Sequence, residues 1–189
     1  MRGLTVFTSR EHDTNRVDLP LLEQARAGDA DALAALCEQF YPRVLKYMHY
    51  RVNPDAAEDL TAEVLLRVVR SIGKQNGLFV AWLFRIAANV VNDHLRSRRS
   101  RQEAPMNEHA LNTPASSPDP AGVVMRQHDI RKAIARLTGD QQELVTLKFI
   151  EGLTNAEIGE ITNRTPEAVR ALQFRALGAL RDLLGSEEA

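Results

Sequence analysis

Between Arg101 and Gly122 the sequence reads RQEAPMNEHALNTPASSPDPAG, four prolines among Ser, Asn, Thr and Ala. Proline fixes φ and removes a backbone donor, so this stretch sustains neither a helix nor a ladder of strands and reads as a flexible linker. It splits the 189-residue chain into two blocks, 19–100 and 123–184, flanked by an N-terminal extension (1–18) without sustained periodicity and a short tail (185–189). Aromatics are only 5% while Ala, Leu, Arg and Glu recur, a composition suited to helices packed through aliphatic side chains. The expectation is an all-α protein of two small helical domains. Apolar residues at 44% and charged residues at 26% exclude a wholly disordered or collagenous chain.

Charge narrows the function. With 24 basic and 25 acidic residues the net charge is −1, without the general positive field that draws a protein onto nucleic acid. Positive charge is instead local: Arg96, Arg98, Arg99 and Arg101 fall within six positions. No apolar run approaches the roughly 20 residues needed to span a bilayer, and the first 18 residues lack a signal-peptide core, so a cytoplasmic location is expected. The single cysteine, Cys37, supports no internal disulfide or cysteine-rich metal site and is expected as a small core residue.

Along the first block, Leu19, Leu21, Leu22 and Ala25 suit a short helix. After Gly28 a second begins at Asp29 and carries Leu33, Leu36, Phe40, Val44 and Tyr47, with Pro42 expected to kink or interrupt it. Asn53–Pro54 reads as an N-cap and first helical position, opening a helix that runs to about Ile72 with Asp55, Glu58 and Asp59 near its positive end. Gly73–Gly77 is a loop. From Leu78 an apolar stripe at Phe79, Leu83, Ile86 and Val90 predicts a long helix ending among the arginines. In the second block Val145, Leu147 and Phe149 alternate as a strand does, but their flanks favour a helix with its stop at Glu151–Gly152.

Two segments carry chemistry. In GLTNAEIGEITNRTPEAVRALQFRA (Gly152–Ala176), Thr154 and Glu157 form a capping box, Thr162–Arg164 makes a turn, and Thr165 caps a second helix with Pro166 at its first position. Val169, Leu172, Ala176 and Leu180 point inward, which leaves Arg170, Ala171, Phe174 and Arg175 outside. A helix-turn-helix offers such a face to the DNA major groove, where arginine bonds guanine bidentately and an apolar ring meets thymine methyls. An ordinary pair of packed helices gives the same pattern. In FVAWLFRIAANVVNDHLRSRRSR (Phe79–Arg101), Asn89, Asn92 and His94 are placed to meet bases and Arg96, Arg98 and Arg99 to meet phosphates. The plainer reading is a buried Trp82 and a helix C-terminus that favours arginine through its dipole.

Taken in order, FYPRV (Phe40–Val44), AEDLTAEVLLRV (Ala57–Val68), AWLFRIAANVVNDHLRSRRS (Ala81–Ser100) and the helix-turn-helix resemble an extracytoplasmic-function (ECF) sigma factor of bacterial RNA polymerase, over about Leu19 to Leu184. The resemblance implies a sigma-2 domain (19–100) that binds core polymerase and recognises and melts the minus-10 element, and a sigma-4 domain (123–184) that reads the minus-35 element. It places Asp59 and Glu63 against the beta-prime clamp. Asn89, Asn92, His94, Arg96, Arg98 and Arg99 fall on minus-10 DNA, and Thr165, Arg170, Ala171, Phe174 and Arg175 on minus-35 DNA. Core polymerase (beta-prime clamp and beta flap) and promoter DNA are the implied partners, an anti-sigma factor is a further partner it admits, and no cofactor or metal is implied. Five features depart from the usual pattern: a Gly73–Leu78 loop about two residues short and without an aromatic, Val68–Val69 where an aromatic is frequent, Asn163 in place of a common glycine, Arg164 at a usually apolar position, and Leu172 in place of a frequent basic residue.

Two other readings compete. A helix-turn-helix regulator acting without core polymerase explains the second block but leaves the first without a purpose. A metal phosphohydrolase is suggested by His12–Asp13 and His128–Asp129, yet His49, His94 and His109 lie in unrelated contexts, and there is no phosphate-binding glycine loop, nucleophile elbow or HExxH.

Overall fold

The computed structural model describes residues 17–103 and 130–185. Most of the linker, the N-terminal extension and both His-Asp pairs lie outside them. In chain order the elements are α1 (Leu19–Arg26), α2 (Ala30–Arg51), α3 (Pro54–Ser71), a 3₁₀ turn (Ile72–Lys74), α4 (Phe79–Glu103), a helical stretch at 130–135, α5 (Gly139–Val145), a π turn (Thr146–Ile150), α6 (Asn155–Thr162) and α7 (Pro166–Gly185). No strand occurs among the described residues. The alternation at Val145, Leu147 and Phe149 resolves into the end of α5 and the π turn, with the first two buried and Phe149 half exposed.

Local chemistry sets the helix starts. Asp29 caps α2, its carboxylate accepting from the Ala32 amide at 2.9 Å, and Thr138 and Gln141 form a capping box on α5. Asn53 stands at the N-cap of α3 in extended backbone, but its side chain makes no capping bond. Of the kink or interruption expected at Pro42, the interruption is absent: α2 runs on through it. Pro42 and Glu38 are both exposed, so water can meet the carbonyl that loses its donor. Cys37 is half-buried rather than in the core, and burial raises its thiol pKa. Helix α4 extends three residues into the predicted linker.

The first module packs α2, α3 and α4 around Phe40, Val44, Tyr47, Val64, Val68, Leu83, Phe84 and Val91. Edge-on ring pairs Phe40–Phe79 and Tyr47–Phe84, with centroids 5.1 and 5.5 Å apart, each add about 0.5–1.5 kcal/mol beyond area burial. In the second module α5, α6 and α7 enclose Leu144, Leu147, Ile158, Ile161, Val169, Leu172 and Ala176.

The two modules do not stand apart. Their apolar residues form one continuous cluster, and α4 packs on α6 while α2 meets α5 and the π turn. Arginines of the first module donate across the join. Arg43 Nε lies 3.1 Å from Glu151 Oε2, Arg51 reaches the Gly139 carbonyl and Gln142 Oε1 at 3.1 and 3.3 Å, and Arg85 reaches the Glu160 carbonyl at 2.6 Å. Burial holds the Glu151 carboxyl above its ordinary value, against the pull of the Arg43 guanidinium.

Candidate nucleic-acid interface

The helix-turn-helix is built as its sequence dictates. Thr154 and Glu157 complete the capping box, with the Thr154 amide donating to Glu157 Oε2 at 2.7 Å and the Glu157 amide to Thr154 Oγ1 at 3.2 Å. Asn163 ends α6 in the left-handed region at φ 55°, a conformation asparagine tolerates better than most residues. Thr165 Oγ1 accepts from the Ala168 amide at 3.2 Å, capping α7.

Two features escaped the sequence. Gly159 faces the turn so closely that a Cβ there would lie 2.5 Å from the Arg164 carbonyl oxygen. Arg164, polar where an apolar residue is usual, points away from the core and pairs with Asp140 of α5 at 2.6 Å.

Helix α7 buries Val169, Leu172 and Ala176 and turns Arg170, Ala171, Phe174 and Arg175 outward. Phe174 is 82% exposed, so packing among the described residues does not account for it. Arg170 Nη2 sits 2.8 Å from Glu167 Oε1, one turn earlier, and Arg175 Nε donates to the Ala171 carbonyl. Glu167 is held below the ordinary carboxylate range by its own backbone N–H and by Arg170.

On α4 the six expected positions divide. Asn89, Asn92, Arg96 and Arg99 recur at i, i+3, i+7 and i+10, so they line one side of the helix, and all four are exposed. His94 and Arg98 are partly buried and lie in line with the core positions Val90 and Val91. Arg85 continues the exposed stripe one turn earlier and is the residue that bonds α6. Trp82 is half-buried against Phe79, with ring centroids 5.8 Å apart.

Asp59 and Glu63 are one turn apart on α3, as expected, but their settings differ. Asp59 is exposed. Glu63 bonds Arg67 at 2.6 Å, and Arg67 also reaches Asp93 of α4 at 3.4 Å. Beside Asp59 the same outward face carries Leu66 and Val69, 54% and 41% exposed. The loop before α4 is organised by Gln75, whose buried amide donates to the Asn76 and Gly77 carbonyls at 2.9 Å and accepts from Arg26 of α1.

Two family models match this chain. Sigma-70 region 2 matches residues 36–101 and sigma-70 region 4 matches residues 127–180. The chain is 40% identical over 172 residues to the ECF RNA polymerase sigma factor BldN of Streptomyces coelicolor, covering 88% of this chain and 65% of that protein. It thus spans about two thirds of that relative's length. It is 34% identical to the RNA polymerase sigma factor CarQ of Myxococcus xanthus, covering 88% of this chain and 97% of CarQ. The fold resembles that of CnrH, solved in complex with the cytosolic domain of CnrY, with a TM-score of 0.68 at 19% identity over 88% of this chain and 96% of that one. The chain belongs to the ECF sigma factors of the sigma-70 family. Members of that family are regulatory factors that start transcription together with core RNA polymerase.

Among the described residues, no helix is long and apolar enough to cross a membrane, and no three His, Cys, Asp or Glu side chains are grouped to hold a metal ion.

Proposed function

We propose that this chain recruits core RNA polymerase to a promoter set, working in the cytoplasm as a binding factor without catalytic residues of its own. The observation that carries this reading is that each module presents one outward polar face unused by its own core: the Asn89–Arg99 stripe on α4 and the Arg170–Phe174 face on α7. A regulator acting without core would need only the second. The α4 stripe holds the opened non-template strand, arginines on phosphates and amides on bases. The α7 face reads minus-35 bases, and Asp59 with Leu66 on α3 docks on the beta-prime clamp. An anti-sigma factor is a further candidate partner. Transcription by core plus this protein on a genomic fragment library tests the reading, because defined start sites should appear only when both are present. A library silent with both components would refute it.

Two substitutions probe the DNA faces. Arg170→Ala should cost about 1–3 kcal/mol at one base position, the worth of a bidentate guanine contact, and relax preference there. Arg175→Ala should weaken all promoters alike. Selection from a randomised minus-35 library checks this, and identical motifs from wild type and the Arg170 variant would remove Arg170 from base reading. On α4, replacing Arg96 and Arg99 together by Ala should flatten the salt dependence of open-complex formation by about 0.7 for each single-strand phosphate that is no longer neutralised. Arg98→Ala should change it less, since that side chain lies off the stripe. An equal effect from Arg98 would show that the stripe is not the strand-binding face.

A further inference from the structure

We propose that Gln75 is a positioning residue for minus-10 preference: braced by Arg26 of α1, it fixes the exposed loop that lies at the N-terminal end of the α4 stripe. Its consequence for promoter choice rests on the reading above that the stripe holds the opened strand. Between α3 and α4, Gly73, Lys74, Asn76, Gly77 and Leu78 are all exposed, whereas Gln75 among them is only 4% exposed. A polar side chain is buried without large cost only when its groups are bonded. The Gln75 amide has two N–H donors and a carbonyl acceptor. Nε2 donates to two consecutive carbonyls, those of Asn76 and Gly77, at 2.9 Å each, and Oε1 accepts from Arg26 Nη2. A guanidinium only donates and a carbonyl only accepts, so these partners fix which way the amide faces.

Among the described residues, backbone hydrogen bonds hold the loop at its two ends. The Gln75 N–H closes the 3₁₀ turn on the Ile72 carbonyl, and the Trp82 N–H opens α4 on the Leu78 carbonyl, both at 3.0 Å. The Gln75 side chain fastens the stretch between them, and Gly77, at φ +72°, lets the chain turn over it. The anchor is distant in sequence. Arg26 sits half-buried in the last turn of α1, 49 residues before Gln75. Helix α1 packs on the 3₁₀ turn, where a Cβ on Gly73 would meet the Arg26 carbonyl oxygen at 3.7 Å. This helix precedes residues 36–101, which match sigma-70 region 2, so the brace comes from outside that match.

The loop bears on the strand through the register of α4. The stripe positions Arg85, Asn89, Asn92, Arg96 and Arg99 are spaced by four and three residues in turn, and the same spacing counted back passes through Trp82 to Leu78. Trp82 is half-buried and Leu78 is 56% exposed. A strand followed along the stripe toward the start of α4 therefore reaches a ring on which bases stack, and then an exposed Asn76 amide able to bond a base edge. Such discrimination needs groups held to within about 0.5 Å by a supporting shell. Here that shell is Gln75 and Arg26.

The test uses the full-length chain with core polymerase on a promoter library randomised across the minus-10 region. Gln75→Glu is nearly the same size and keeps an acceptor for Arg26, but offers the two carbonyls no donor. Arg26→Met removes the brace and leaves the loop sequence intact. Each should lower discrimination by about tenfold, the worth of a lost hydrogen bond, at one or two adjacent minus-10 positions. The other positions, the minus-35 motif and competition for core should stay as in wild type. Asn76→Ala should relax the same positions and add little to Gln75→Glu, because coupled residues are not additive. A minus-10 motif identical to wild type in both variants overturns the proposal, and so does a uniform loss from every sequence, which is what a merely structural role gives. A second measurement needs no polymerase. Tryptic cleavage of the free chain after Lys74, followed by mass spectrometry, should be roughly tenfold faster in both variants at unchanged helicity, since cleavage follows local opening. Cleavage at the wild-type rate also overturns the brace. The two readings fail separately: a wild-type chain that selects no minus-10 motif refutes strand holding by α4, while the cleavage rate still judges Gln75 and Arg26.

Discussion

Replacing Gly159 by alanine is expected to break the helix-turn-helix while leaving the first module folded. The added Cβ would lie 2.5 Å from the Arg164 carbonyl oxygen, nearer than real Cβ contacts come. The atom in the way is backbone and cannot rotate aside. That carbonyl belongs to the turn between Asn163, already in the left-handed region, and Thr165, which caps α7. Relief therefore moves the start of α7, where Arg170 sits. Overpacking of this kind costs about 1–3 kcal/mol. A displacement of the reading face should lower minus-35-dependent transcription at least tenfold. Thermal melting followed by circular dichroism should show a destabilised chain that keeps most of its helix, and Asn163→Gly should melt near wild type because glycine accepts the same backbone. A Gly159→Ala chain with wild-type melting and wild-type minus-35 selectivity would show that the turn yields cheaply.

The second large effect is expected on α3. Reversing Asp59 and Glu63 to lysine should abolish binding to core polymerase in a competition pull-down and leave folding intact. Asp59 is exposed and shares its helix face with the exposed Leu66 two turns on, and an acid and an apolar side chain on one face suit a basic, partly apolar partner. Glu63 is less free: it holds Arg67 at 2.6 Å. Docking through Glu63 therefore competes with an internal pair, while Asp93 stays as the second partner of Arg67. Both partners are substantially exposed, so losing the pair costs at most about 1 kcal/mol. Asp59→Lys alone should then account for most of the binding loss. If the double variant competes for core as wild type does, α3 is not the docking face.

How far the sequence carried depends on the range of the interaction. The capping box at Thr154, the cap at Thr165, the outward placement of Arg170 and Phe174 and the inward placement of Val169 and Leu172 were legible, because each depends on residues within one or two helical turns. Of the two outcomes expected at Pro42, a kink or an interruption, the interruption did not occur, since its consequence depends on whether water reaches the vacated carbonyl, and that face is open. Arg164 broke the family pattern, and its partner Asp140 lies 24 residues away, out of reach of any local pattern. The requirement for glycine at 159 was invisible too, because the obstructing atom belongs to a turn that exists only once both helices are in place.

By itself the sequence determined which segments are helical, which face of each is apolar and which family they resemble. These follow from side-chain periodicity and from caps, whose partners lie three or four residues away. Only the tertiary structure decided which polar groups remain available. It set Asn89, Asn92, Arg96 and Arg99 apart from His94 and Arg98, and it tied Arg67 to Asp93 and Arg85 to α6. It also joined Arg43 to Glu151 and closed the two modules on each other. A helical pattern fixes the direction in which a side chain leaves its own axis, but the group it meets is set by how distant helices pack.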